Sequence, residues 1–105
     1  DESFAQYELA KQQMKGAYGL LTFVMKTNAA DTIETFCNSL RHILMAVSWG
    51  GHESLIIPRC SGLPKEKFNA TFSEHRQLRL YCGLEDADYI IADLEQAFEK
   101  IKLLP

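Results

Sequence analysis

Phe4, Tyr7, Ala10 and Met14 recur at the three-to-four-residue spacing of one helix face, and Gly16 stands where such a helix would stop. The pattern predicts a helix over residues 3–14. Residues 17–25 form an aromatic and aliphatic run, which predicts a strand buried on at least one face. The polar stretch 27–31 marks a turn into a second helix, with Asn28 as the expected N-cap and Asp31 near the positive end of the dipole. Ile33, Phe36, Cys37 and Leu40 supply the apolar face of that helix.

Residues 43–48 predict a second strand, broken by Trp49-Gly50-Gly51-His52-Glu53. A short third strand over 54–57 ends at Pro58, which has no amide to donate to a ladder. Residues 59–75 are polar and contain Gly62 and Pro64, so a long loop is expected, of the kind that is often functional or mobile. Residues 77–82 read as a fourth strand and Gly83 as a turn. Glu85-Asp86 is the expected cap of a last helix, whose apolar face is Ile90, Leu94, Ala97, Phe98 and Ile101. Together these elements imply an α+β fold. It is a two-layer sandwich of a small, mostly antiparallel sheet of about four strands with helices on one face.

Length narrows this to one domain: 105 residues suffice for a single core. The formal charge of −3 and the lack of a basic cluster argue against nucleic acid as a partner. No apolar run approaches the roughly 20 residues that span a bilayer, so no membrane partner is expected. The acidic, polar start Asp1-Glu2-Ser3 does not resemble a signal peptide. Asp1 in place of Met suggests a processed chain or a piece of a longer one. Cys37, Cys60 and Cys82 are odd in number and lack metal-ligand spacing, which points to buried free thiols in a reducing, cytoplasmic setting and to no metal. Asn69-Ala70-Thr71 matches the glycosylation sequon, but nothing else suggests secretion.

Two places could carry chemistry. In Ser48-Trp49-Gly50-Gly51-His52-Glu53-Ser54, the paired glycines allow a sharp turn or close backbone approach, and the serine and free amides could hold an anion. A plain turn beside a packed Trp49 explains the same residues. Arg79 lies in the middle of an apolar strand, and its fork suits a carboxylate bidentately. The alternatives are an internal ion pair with Glu53 or Glu85, or a solvent-facing position. Alternation puts Arg79 and Tyr81 on the face opposite Leu78, Leu80 and Cys82. His42, His52 and His75 match no metal set. Ser48, His52 and Glu53 are too close in sequence to form a hydrolase triad. No lysine has the desolvated setting that a Schiff base needs.

The stretch Ser48–Ile56 resembles the S-[LW]-G-G-x-E-S-L signature of the trans-sulfuration enzymes, the cystathionine synthases and lyases and methionine γ-lyase. Arg79–Asp86 resembles their R-[LI]-[SH]-x-G-[LI]-E-D block, with Tyr81-Cys82 departing from the commoner Ser-Val or His-Ile pair. Residues 90–98 resemble the family's closing helix, and Gln13-Met14 followed by Gly19–Phe23 resembles its entry into the first strand.

The resemblance implies that residues 1–105 are the C-terminal small domain of a fold-type I enzyme dependent on pyridoxal phosphate (PLP). Arg79 would bind the α-carboxylate of an amino-acid substrate, and Ser48 and Trp49 would line the same pocket. Trp49, where many members carry Leu, resembles bacterial cystathionine β-lyases, so the implied reaction is carbon–sulfur cleavage of cystathionine in methionine biosynthesis. Cystathionine γ-synthase or γ-lyase is the alternative within the family. A free-standing, non-catalytic binding module derived from the domain is the alternative outside it. In the family, the coenzyme, its lysine and most of the homotetramer contacts belong to the N-terminal domain. The resemblance therefore implies no catalytic residue and no cofactor in this chain, and an isolated chain that is inactive. Lacking that domain, the chain is expected to expose apolar surface on its first helix and glycine turn, and to self-associate.

Overall fold

Strict alternation places the central strand. In β4 (Gln77–Tyr81), Leu78 and Leu80 are buried, while Gln77, Arg79 and Tyr81 are half-buried on the other face. The computed structural model, which describes residues 2–16 and 18–102, builds the sheet outward from this strand. β1 (Leu20–Val24) pairs antiparallel on one side, with Thr22 opposite Arg79. β3 (Leu55–Pro58) pairs antiparallel on the other, with Ile57 opposite Arg79. β2 (Leu44–Met45) lies at the far edge, giving the order β1-β4-β3-β2. Two of the three pairings are antiparallel, as the sequence implies.

The β2–β3 pairing is parallel, which the sequence reading did not anticipate. Parallel neighbours normally need a crossover of a dozen or more residues. Here the strand is two residues long, so the return path is short and residues 46–54 suffice without a helix. The expected strand over 43–48 is accordingly much shorter. After Ala46, whose amide donates to the Ile56 carbonyl, the chain leaves the sheet edge.

α2 (Ala30–Ser39) and α3 (Ala87–Lys102) pack on each other and cover one face of the sheet. Phe36 of α2 joins the layers: it is 0% exposed, its ring lies 4.5 Å from Phe98 of α3, and it meets Phe23 of β1 edge-on at 6.5 Å. Burying one such ring contributes about 1.5–3 kcal/mol. The α+β two-layer architecture is therefore the one the sequence implies.

Several local expectations need correction. α1 spans only Tyr7–Gln13 and buries none of its residues, so it lacks the tertiary packing that extends short helices. Ala17, with which the first strand was expected to begin, lies outside the described residues. Asn28 does not cap α2: the N-cap is Ala29, without a side-chain bond, and the Thr27 hydroxyl accepts the Ala29 amide instead. The expected long loop is folded into 3-10 turns at Arg59–Gly62, Lys65–Lys67 and Ser73–Arg76. It is pinned where the Asn69 amide donates to His75 Nδ1 at 2.9 Å. Asp86 caps α3 by accepting the Asp88 amide, whereas Glu85 turns away to another partner.

The exposed apolar residues foreseen on the first helix are there, in Phe4, Leu9 and Met14, and those of the glycine turn include Val47 and Trp49. An apolar groove of about 590 Å³ between β1 and α3, lined in part by Leu21, Phe23, Ile91 and Leu94, was not foreseen.

A charged residue interrupts the apolar face of α3. Asp93 is 2% exposed, and its carboxylate accepts the amides of Arg41, His42 and Ile43 at 2.8, 2.9 and 2.9 Å. Gln96 also donates to it and to the Ser39 carbonyl. Burial opposes ionisation of Asp93, but the three amides and Gln96 outweigh it and hold the carboxyl below the usual carboxylate range. The end of α2 is thereby fastened to α3.

Removing this acceptor leaves buried amides without a partner, so Asp93→Ala is expected to cost about 2–4 kcal/mol in urea unfolding. Because the folded pKa is depressed, the carboxylate's contribution is complete above the unfolded value of about 4 and is lost as pH falls through the lower folded value. Wild-type stability should therefore drop more steeply than that of Asp93→Asn on acidification through this window. Parallel acid profiles would contradict the assignment.

Candidate functional site

The uncovered sheet face carries the arginine. Thr22, Arg79 and Ile57 stand side by side across β1, β4 and β3, and with Val47, Arg59 and Gln77 they line a cavity of about 280 Å³. Arg79 Nη2 donates to the Val47 carbonyl, so the guanidinium is braced against the loop that leaves β2. Neither suggested acid pairs with it. Among the described residues, no ion pair involves Arg79 or Arg59; the pairs found belong to Lys11, Lys65 and Lys102.

The Trp49 loop is held by contacts from β4 and the chain beyond it. The Tyr81 hydroxyl donates to the Gly51 carbonyl at 2.9 Å, and the Leu84 amide donates to the His52 carbonyl at 2.8 Å. Ser54, 1% exposed, donates its amide and hydroxyl to the two oxygens of Glu85 at 2.9 and 2.7 Å. Its hydroxyl oxygen accepts the Gly83 amide at 2.9 Å. Glu85 lies below the usual carboxylate range, first because of the Ser54 amide and then because of the Ser54 hydroxyl. Two glycines are required here. Gly50 has φ +93°, a left-handed value, and a Cβ at Gly83 would sit 2.3 Å from the His52 carbonyl oxygen.

Of the three residues proposed from sequence, the structure puts only Arg79 in the cavity wall. Ser48 and Trp49 are exposed on the adjoining loop, Trp49 by 61%, and follow directly on Val47. The sequence reading missed Arg59, assigned to the loop, and Gln77, whose Oε1 accepts from Arg59 Nη1 at 3.2 Å. A signal existed: Arg59 shares the parity of Ile57, so the strand's alternation carried past Pro58 puts both on the Arg79 face.

The remaining groups offer little chemistry. Burial, and then the neighbouring Cys60, push the Cys37 thiol up to about 11; burial raises Cys60 and Cys82 as well. None is an activated thiolate. Among the described residues no cluster could hold a metal. None of the described helices is long and apolar enough to cross a membrane. Every lysine from Lys11 to Lys102 is exposed, so none has the desolvated setting of a Schiff-base amine within this chain.

The clasp can be tested directly. Gly83→Ala is expected to destabilise by about 1–3 kcal/mol, because the methyl must displace backbone. Tyr81→Phe should cost about 1 kcal/mol and speed hydrogen exchange in residues 50–54 while leaving α2 protected. Unchanged exchange in that loop would show that the tyrosine does not hold it.

The family of Cys/Met metabolism PLP-dependent enzymes has a sequence model that matches residues 2–99. The chain is 39% identical over 105 residues to L-methionine gamma-lyase of Treponema denticola, covering 95% of this chain and 26% of that protein. It is 34% identical over 99 residues to cystathionine beta-lyase of Escherichia coli, covering 90% and 25%. The crystal structure of cystathionine gamma-lyase from Lactobacillus plantarum complexed with L-serine superposes with a TM-score of 0.72 at 29% identity, covering 97% of this chain and 27% of that one. Cystathionine gamma synthase from Xanthomonas oryzae, in complex with aminoacrylate and cysteine, gives 0.73 at 27% identity, covering 95% and 27%. The chain spans about a quarter of the length of these relatives. The match over residues 2–99 establishes that the chain belongs to the Cys/Met metabolism family of PLP-dependent enzymes.

Proposed function

We propose that this chain is the C-terminal, substrate-binding small domain of a PLP-dependent enzyme that cleaves carbon–sulfur bonds, and that Arg79 binds the substrate's α-carboxylate. The observation that carries this reading is the state of Arg79. It stands on the open sheet face over a cavity, braced by the Val47 carbonyl and without an acidic partner among the described residues. A guanidinium has five N–H donors in a fixed fork. One contact to Val47 fixes its orientation and leaves enough donors for a bidentate carboxylate. Ser48 and Trp49 form the rim next to this anchor.

The chemistry of the bond belongs to PLP, which the rest of the enzyme holds; no exposed lysine of this chain serves it. In this reading the isolated chain is inactive, and the working enzyme is a cytoplasmic homotetramer. The family's two-carbon choice, β or γ cleavage, is read from Trp49, which favours β-cleavage of cystathionine to homocysteine. A γ-lyase or γ-synthase is the second reading, supported by 39% identity to a methionine gamma-lyase.

In the intact enzyme, Arg79→Ala is expected to lower kcat/KM for the amino-acid substrate by about 10²-fold, the loss of a charge-assisted, bidentate contact. The visible absorbance of the bound coenzyme should not change, because Arg79 does not hold it. Wild-type kcat/KM in the variant would refute the carboxylate role. Loss of the coenzyme band would point to a structural role instead.

A further inference from the structure

The cavity over which Arg79 stands contains a second guanidinium, for which the proposed function has no use. Arg59 follows β3 directly, at the start of the first 3-10 turn. Its Nη1 donates to Gln77 Oε1 at 3.2 Å, and Gln77 stands two residues before Arg79 on the same face of β4. Gln77 therefore tethers Arg59 to the open sheet face, as the Val47 carbonyl braces Arg79. Both arginines line the same 280 Å³ cavity, with Thr22, Val47 and Ile57 as short, mostly apolar walls between and around them.

Most lysines and arginines among the described residues have no ion pair, but Arg59 and Arg79 share one cavity. The chain as a whole is acidic, with a formal charge of −3. Lys65 elsewhere has two acids, Asp31 at 2.6 Å and Glu34 at 3.0 Å. Among the described residues, neither Arg59 nor Arg79 has an acid within ion-pair distance. Two like charges lining one cavity repel, and a bound anion with two negative ends relieves both.

We propose that Arg59 and Arg79 form a two-point anion site in which Arg59 takes the distal carboxylate of a substrate whose α-carboxylate is held by Arg79. The site then selects amino acids with a carboxylate at each end of a short aliphatic or thioether chain over those with one carboxylate. Cystathionine has this form and methionine does not. The inference rests on the reading of Arg79 given above. Arg59 is exposed, so water and salt weaken its contribution, and the expected selectivity is several-fold rather than thousand-fold.

The test is competitive inhibition of the intact enzyme by glutarate and by butyrate at matched ionic strength. Glutarate should bind about fivefold more tightly than butyrate. Arg59→Gln should remove most of that preference, and Arg79→Gln should weaken both ligands. A preference for glutarate that survives Arg59→Gln overturns the two-point site. Butyrate binding that survives Arg79→Gln overturns instead the carboxylate role of Arg79, so the two failures are distinguishable.

Discussion

The bond pair between Ser54 and Glu85 fixes the geometry on which the site depends. Ser54 immediately precedes β3 and is fully enclosed, and Glu85 lies between the end of β4 and the start of α3. The carboxylate accepts both donors of the serine, and the serine oxygen accepts the Gly83 amide in turn. No polar atom of this knot is left unsatisfied, which is what makes its burial tolerable. The knot also explains why Gly83 must be glycine: the segment after β4 comes so close to the one before β3 that a methyl group would overlap the His52 carbonyl. With the knot closed, the Trp49 loop cannot drift from β4, and the Val47 carbonyl stays where Arg79 can donate to it.

A second polar fastening does the same work on the covered side. Asp93 gathers three consecutive amides at the entry to β2 and so ties α2, β2 and α3 together. The two faces of the sheet are thus built on opposite principles. The helix side buries apolar rings around Phe36 and satisfies the enclosed Asp93 carboxylate with neutral amides. The open side keeps its two guanidiniums braced by neutral oxygens, from Val47 and Gln77, and leaves their charge unspent. A neutral brace orients an arginine without neutralising it, whereas an acid would do both and close the site to an anion.

What could be read from the sequence were features with a short period. The alternation in Gln77–Tyr81 placed Arg79 opposite Leu78 and Leu80, and the helical spacing of Ile90, Leu94 and Ala97 placed α3 on the sheet. The fold class followed from these periodicities and from the element order. What escaped depends on contacts between residues distant in sequence. Ser54 meets Glu85 and Asp93 meets Ile43 across loops whose closure leaves no local pattern. Glu85-Asp86 looked like a helix cap because caps are acidic, but only Asp86 accepts a helix amide, that of Asp88, and Glu85 reaches back to Ser54. The parallel β2–β3 pair was invisible because a two-residue strand has too few side chains to show a register. Arg59 was hidden for a different reason: a polar stretch after Pro58 reads as loop, although its first residue still belongs to the sheet face.

The central claim is that the open sheet face around Arg79 is where an amino-acid carboxylate is held. The most direct measurement is a crystal structure of the intact enzyme with a bound amino-acid substrate or analogue. The α-carboxylate should be paired bidentately with the Arg79 guanidinium, beside the Val47 carbonyl that braces it. An α-carboxylate held by other residues, with Arg79 facing solvent or neutralised by an acid, would contradict it.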